Sequence, residues 1–157
     1  MEFYGVTFKN VRPYAISGKD VTSCDIYIGN VFAARYVLVP SKNGGEPKAT
    51  ISYAGEEARA EMHATVKEAL GTLDVMEFLN RAFDLYEYEF TMESLQQSGC
   101  AEGLMLIFDK GNMAHPKAVA ALRKADAETV RKAKSMFGYM GRISTNVCTC
   151  SEDFVVA

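Results

Sequence analysis

The strongest constraint on the fold is a β-hairpin pattern centred on Gly29 and Asn30. From Val21 to Ile28 the residues alternate with a period of two, which is the period of a strand with two different faces. One face carries Cys24, Ile26 and Ile28, and the other carries Ser23, Asp25 and Tyr27. Gly29 and Asn30 both tolerate the positive φ of a two-residue turn. Val31 to Val39 is apolar on both faces except at Arg35, as a central strand would be.

Two more strand-like segments flank this hairpin. Pro13 and the pair Ser17-Gly18 are expected to end the first strand, and a loop from Pro40 to Pro47 is expected before the last one. The first third of the chain is therefore predicted to be an antiparallel meander of four strands: Phe3–Val11, Val21–Ile28, Val31–Val39 and Lys48–Ala54.

The middle of the chain is predicted to be helical. Between Glu56 and Leu70, apolar residues recur at helical spacing. Asp74 is a good N-cap for a second helix, which we expect to stop short of Glu89 because Glu89 would fall on its apolar side. A separate short helix is expected from Thr91 to Ser98, closed by the glycine that follows.

The last third is predicted as strand, helix, helix and strand. Val130, Ala133 and Phe137 are expected on the inward side of the second of these helices. The predicted elements are a buried strand at Leu104–Asp109, a helix at Pro116–Lys124, a helix capped by Asp126, a strand at Arg142–Cys148 and a short tail strand at Phe154–Val156.

These elements predict an α+β fold. An antiparallel β-meander with a packed helix is followed by a helical and mixed α/β half. At 157 residues the chain has the length of one compact domain, residues 1–157, which can bury about 70% of its unfolded surface. A division into two sub-halves, residues 1–71 and 72–157, is the alternative.

The composition predicts a soluble protein of a reducing compartment. The first ten residues lack a basic segment followed by an apolar run, so we expect no secretory signal. No apolar stretch approaches the ~18 residues of a membrane span. Four cysteines without an export signal favour free thiols. We therefore expect a cytoplasmic protein of a bacterial host cell, with no membrane partner.

The charges are strongly segregated along the sequence. The net charge is −3, but residues 56–102 carry eleven acidic groups against three basic ones. Residues 110–142 carry eight Lys and Arg against two acidic groups. Such a layout predicts separate acidic and basic surfaces. The expected acidic face consists of Glu57, Glu61, Glu68, Glu77, Asp84 and Glu87, and the expected basic face consists of Lys124, Arg131 and Lys132.

No catalytic or metal-binding set stands out. Cys148 and Cys150 could supply half of a zinc site, but the other potential ligands are scattered singly, so neither a metal nor a cofactor is predicted. A cysteine nucleophile needs a base that generates the thiolate. An enzyme of that kind, or a hydrolase, would have to bring together Cys100, Asp109, His63 and His115.

Several segments carry a family resemblance. T-S-C-D-I-Y-I-G-N (Thr22 to Asn30), the A-A-R-Y that follows, N-G-G-E (Asn43 to Glu46) and the later L-M-L-I-F-D before a Lys/Arg-rich helix resemble small orphan accessory proteins of phages and other mobile elements. These motifs are structural, so they imply a setting and no activity. Many proteins of that setting block host defence machinery, anti-CRISPR proteins among them.

The expected function is therefore non-enzymatic binding. Charged helical faces would engage a protein or a protein–nucleic-acid complex, with an inhibitor of host defence as the implied role. Two alternatives stay open. The first is a nucleic-acid-binding accessory protein that uses the basic helix over residues 126–138. The second is the small cysteine-dependent or hydrolytic enzyme. The oligomeric state does not follow from the sequence.

Overall fold

The computed structural model describes residues 1–16, 19–41, 47–71, 73–137 and 140–156. These form two compact units, Met1–Asn80 and Arg81–Ala157. The predicted turn at Ser17-Gly18, the glycine-rich segment Asn43–Glu46 and the predicted helix break at Gly138 lie outside the described residues.

The first unit contains a five-stranded antiparallel meander, as the α+β prediction requires. The strands follow one another in the sheet in chain order. They are β1 (Glu2–Phe3), β2 (Val6–Ile16), β3 (Lys19–Ile28), β4 (Val31–Val39) and β5 (Lys48–Tyr53). The predicted strand Phe3–Val11 is thus two strands joined by a turn at Tyr4 and Gly5. The second continues through Pro13, since the short β1 pairs only with Val6 and Thr7 and leaves β2 an edge strand beyond them.

The pairing register separates two faces of this sheet. Cys24 lies opposite Tyr36, and Ile26 lies opposite both Phe8 and Ala34. These five residues are buried, so their side forms the core face. The opposite side, called the outer face below, carries Ser23, Asp25 and Tyr27, and this confirms the predicted alternation.

Helix α1 (Glu56–Leu70) packs on strands β4 and β5. Met62 and Val66, one turn apart, are its buried residues. The helix ends as predicted at Gly71, which has a φ of 68° and donates its N–H to the carbonyl of Lys67. Glycine suits this left-handed position because it has no Cβ.

Helix α2 is one continuous helix, Val75–Gln97, where two helices were predicted. The prediction of a break before Glu89 was wrong: Glu89 lies inside the helix and is 5% exposed. Burial of long apolar side chains on the same helix, such as Leu85 and Met92, outweighs the cost of burying one carboxyl there. The boundary between the two compact units falls within α2, after Asn80.

The second unit is built around a three-stranded antiparallel sheet. Strand β6 (Gly103–Asp109) lies between β7 (Ala118–Leu122) and β8 (Ile143–Cys148). Residues 103 to 108 of β6 are all buried, as predicted for this segment. Met105 and Ile107 form a core cluster together with Leu122. The predicted strand at Arg142–Cys148 is confirmed apart from its first residue.

The prediction of a helix at Pro116–Lys124 was wrong, because this segment contains β7. Alanine favours helices in isolation, but Ala118 to Leu122 pair residue by residue with β6. The N–H of Lys117 also donates to the carbonyl of Ile107 at 2.7 Å. Tertiary pairing with a buried strand therefore overrides a local preference that amounts to a few tenths of a kcal/mol per residue.

Helix α3 (Ala127–Met136) begins as predicted at Asp126, whose side chain accepts a hydrogen bond from the Thr129 N–H at 2.7 Å. That bond holds the pKa of Asp126 below its ordinary value. Val130 and Ala133 pack, as expected, on the core cluster formed by Met105, Ile107 and Leu122. Phe137 does not point inward as predicted: it follows the last helical turn and is 40% exposed.

The tail after β8 is not a strand, contrary to the prediction for Phe154–Val156. A single 3₁₀ turn, Ser151–Asp153, precedes an extended segment without strand pairing. Phe154 and Val156 are nevertheless buried. The apolar alternation of this tail therefore reflects packing against the second unit's interior.

Candidate functional site

Glu57, Glu61 and Glu68 form a single stripe on α1. At 3.6 residues per turn their positions fall within about 60° of the helix circumference, on the side opposite the buried Met62 and Val66. All three are exposed. No cation in the described ranges pairs with any of them. Glu57 also lies in the first turn, where a carboxylate interacts favourably with the helix dipole.

The three predicted acidic residues of α2 have different surroundings. Glu77 is half-buried and interacts within the chain. Asp84 lies 3.2 Å from the Nδ1 atom of His115, measured from its Oδ2. Partial burial, and then the neighbouring charge of Asp84, raise the pKa of Glu87 above its ordinary value. The predicted acidic face is therefore not uniform, because its α1 part is open and much of its α2 part serves internal contacts.

Of the predicted basic residues, Arg131 and Lys132 lie on the solvent side of α3, and Lys124 precedes this helix. Lys124, Arg131 and Lys132 are all exposed, while Val130 and Ala133 face the sheet. The Lys132 ammonium is 2.7 Å from the Glu128 carboxylate one turn earlier, which offsets part of its charge. Beside them Met136 is 83% exposed. The helix thus presents a small mixed basic and apolar surface.

A cysteine-dependent or hydrolytic enzyme would require four residues, and each of these contacts a different residue. The Cys100 thiol lies near the Ser98 carbonyl and the Asp109 carboxylate pairs with Lys117. The His63 ring packs beside Tyr53, and His115 contacts Asp84. Burial raises the pKa values of both Cys24 and Cys148 to about 12, which disfavours the thiolate.

Cys148 and Cys150 belong to a turn closed by Asp153. The Asp153 carboxylate accepts hydrogen bonds from the backbone N–H groups of Thr149, at 2.7 Å, and of Cys150, at 3.1 Å. These bonds lower the pKa of Asp153, while Glu152 and then Asp153 raise that of Cys150. Within the described parts of the chain no group of three or more potential ligands could hold a metal ion.

A polar network that the sequence did not reveal lies on the outer face of the five-stranded sheet. Arg35 donates from Nε and Nη2 to one oxygen of Asp25, at 3.0 and 2.9 Å, and Asn10 donates to the other at 2.9 Å. The Asn10 amide, and then Arg35, hold the pKa of Asp25 below its ordinary value. With Arg12 and Ser23 these residues line a shallow pocket of about 290 Å³.

A β-bulge in β2 builds this network. Lys9 lies opposite Asp25 and Arg12 opposite Ser23, so β2 has one residue more than β3 in this interval. Asn10 takes up the extra residue with a φ of 53°, a left-handed conformation that asparagine tolerates better than most residues. Strict alternation would place Arg12 on the core face, and the bulge turns it to the outer face.

The sequence contained partial signals of this site. Arg35 is the one charged residue in an otherwise apolar strand, and Asp25 occupies the polar face of the alternating segment. Their contact depends on the β3–β4 register, which pairs these two residues directly. No local sequence pattern predicted the bulge at Asn10.

Comparison with protein-family models, curated proteins and solved structures finds no match to this chain. Among the described residues, no helix is long and apolar enough to cross a membrane.

Proposed function

We propose that this protein is a non-enzymatic binding protein that engages a positively charged surface of a partner protein through Glu57, Glu61 and Glu68. The observation that carries the proposal is the state of these three carboxylates. They share one exposed side of α1, away from the sheet, and no described cation neutralises them.

Electrostatics explains what such a stripe does. Three like charges on one helix face repel one another slightly, and a basic partner removes that repulsion on binding. Opposite charges also steer the encounter and raise the association rate, while like-charged surfaces are rejected. Because the carboxylates are exposed, both effects weaken as salt is added.

The kind of partner follows from charge and from the resemblance. A nucleic-acid-binding groove is strongly basic, and an acidic helix is complementary to it. The resemblance to accessory proteins of phages and mobile elements adds a setting. We therefore propose that the partner is a protein or protein–nucleic-acid complex of host defence, and that binding inhibits it, as anti-CRISPR proteins do.

The test compares two triple variants with equal loss of charge. One carries Glu57→Gln, Glu61→Gln and Glu68→Gln. The control carries Glu2→Gln, Asp20→Asn and Glu93→Gln, which are also exposed. Each serves as bait in a lysate of bacteria that contain CRISPR effector nucleases. The captured protein is then purified, and its association rate is measured at two salt concentrations.

We expect the α1 variant to associate about tenfold more slowly than the wild type at low salt, and the control to match the wild type. The difference should shrink as salt rises, since the Debye length falls to about 8 Å at physiological ionic strength. Equal association by both triple variants would exclude the α1 stripe as the binding surface.

A second candidate is nucleic-acid binding through α3. It is favoured by the exposure of Arg131 on α3 and of Lys124 before it, and by the exposure of Met136 and Phe137 at the end of α3, since cations and apolar side chains together suit a nucleic-acid strand. Arg131→Gln should then weaken binding of a labelled oligonucleotide. Unchanged binding would remove this candidate.

A further inference from the structure

The outer face of the five-stranded sheet carries a surplus of positive charge. Among the described residues, Lys9, Arg12 and Arg35 are exposed on this face, against the carboxylates of Asp25 and of Glu2, which lies opposite Thr7. Lys48 of β5, which lies opposite Val39 of β4, adds a further cation to the same face. The helix α1 covers the other face, so these cations are open to solvent. The face therefore suits an anion.

The two arginines differ in the contacts that their guanidinium groups make. Arg35 uses two of its five N–H donors on Asp25, which fixes the plane of the guanidinium while 58% of its side chain stays exposed. The Arg12 guanidinium is close enough to Asp25 to lower the pKa of that carboxyl, yet it makes no side-chain hydrogen bond with any residue that the structure describes. Both guanidinium groups line the 290 Å³ pocket.

Aromatic rings lie beside this pocket on the same face. Tyr27 is two residues from Asp25, which is about 6.6 Å along the strand. Its ring contacts Phe32 edge to face, with 5.8 Å between the centroids, and the Lys9 ammonium lies 4.5 Å from the Tyr27 centroid. Phe32 is 39% exposed. The aromatic surface thus lies about one nucleotide spacing from Arg35, which is opposite Asp25, and about 13 Å along the strand from Arg12, which is opposite Ser23.

We infer that the outer face of this sheet binds single-stranded nucleic acid, with backbone phosphate at Arg12 and Arg35 and a base stacked on Phe32. Cations alone would suit any polyanion, but the adjacent rings add a partner for the flat face of a base. An open sheet accepts splayed bases, whereas a duplex hides its base faces. This surface is separate from the α1 stripe of the proposed function and extends beyond it.

The test measures the fluorescence anisotropy of a labelled oligothymidine of about twelve nucleotides, a length within the usual range of single-strand sites. Binding is followed between about 50 and 200 mM salt, with a labelled abasic oligodeoxynucleotide and poly-glutamate as comparison polyanions. The variants are Arg12→Gln, which breaks no described hydrogen bond, and Phe32→Ala. Their matched controls are Lys67→Gln, an exposed cation in the last turn of α1, and Val31→Ala, the exposed apolar neighbour of Phe32.

We expect Arg12→Gln to lower the slope of log affinity against log salt by about 0.7, the contribution of one phosphate contact on a single strand. Phe32→Ala should weaken oligothymidine binding about fivefold or more, and leave binding of the abasic strand unchanged. Both controls should behave as the wild type. The triple α1 variant should also bind as the wild type, which keeps this result separate from the partner-protein test.

Three outcomes would overturn the inference. One is the absence of oligothymidine binding by the wild type at the lowest salt. Another is an equal effect of Arg12→Gln and Lys67→Gln, which would mean non-specific charge. The third is poly-glutamate binding as tight as that of oligothymidine, which would mean an acidic protein ligand.

Discussion

Gly103 should be the least replaceable glycine of the second unit. A Cβ atom built at this position, the first residue of the central strand β6, would overlap the backbone oxygen of Cys148 in β8. That oxygen belongs to the strand paired with β6, where Leu104 lies opposite Cys148, so it cannot move without disturbing the pairing. Gly103→Ala must therefore force the two strands apart at this end.

The size of the effect can be estimated from what the strands would lose. Opening the end of the ladder sacrifices about two backbone hydrogen bonds at ~1 kcal/mol each. Overpacking adds strain of about 1 kcal/mol or more. We therefore expect a loss of about 3 kcal/mol in the free energy of unfolding, and a decrease in Tm of about 6–12 °C for a chain of this length.

Gly141→Ala is the matched control, because a Cβ at Gly141 meets no atom within 4 Å. It should change the free energy of unfolding by less than about 0.5 kcal/mol. Unfolding in urea is best followed by far-UV circular dichroism, since the chain contains no tryptophan. Equal stability of the two variants would refute the close approach of β6 and β8 at Gly103.

Two further predictions concern titratable groups. Of the four thiols, the exposed Cys100 and Cys150 should react with Ellman's reagent in the native protein, whereas the buried Cys24 and Cys148, with pKa values of about 12, should react only after unfolding; rapid reaction of all four would contradict their burial. Because the folded pKa of Asp25 is lowered, its contribution to stability is full above its unfolded pKa of about 4 and is lost as the pH falls through the folded value. The difference in unfolding free energy between wild type and Asp25→Asn should therefore be constant above about pH 5 and shrink below about pH 4, and a difference that stays the same from about pH 5 to about pH 3 would argue against the Asn10 and Arg35 contacts.

The elements that could be predicted are those with a strong local pattern. The alternation from Val21 to Ile28 gave both faces of β3 correctly, and the helical spacing between Glu56 and Leu70 gave the limits of α1. Asp126 identified the start of α3 through its capping chemistry. In each case the signal lies within a few residues of the feature that it specifies.

The errors fall where distant residues decide. Ala118–Leu122 has helix-forming alanines but becomes a strand, because β6 offers a complete set of backbone partners. Glu89 interrupts an apolar stripe but does not end α2, because Leu85 and Met92, about one turn before and after it, are buried. Neither outcome can be calculated from local preference, which is worth less than the tertiary contacts involved.

The charged surfaces show the same difference between what local sequence predicts and what tertiary contacts decide. The sequence predicted the carboxylates of α1 on one side, since helical spacing alone determines that arrangement. It could not predict that Asp84 contacts His115, a residue 31 positions away. Nor could it predict the network around Asp25, which needs the β3–β4 register and an extra residue in β2.

What the sequence determined by itself is therefore the class of fold, the faces of its regular elements and the charge that each segment carries, because periodicity and capping act over a few residues. The tertiary structure alone decided which carboxylates stay exposed and which cations meet on the outer sheet face. Strand register and bulges arise from pairing between segments, and only that pairing brings Asn10, Arg12, Asp25 and Arg35 to one place.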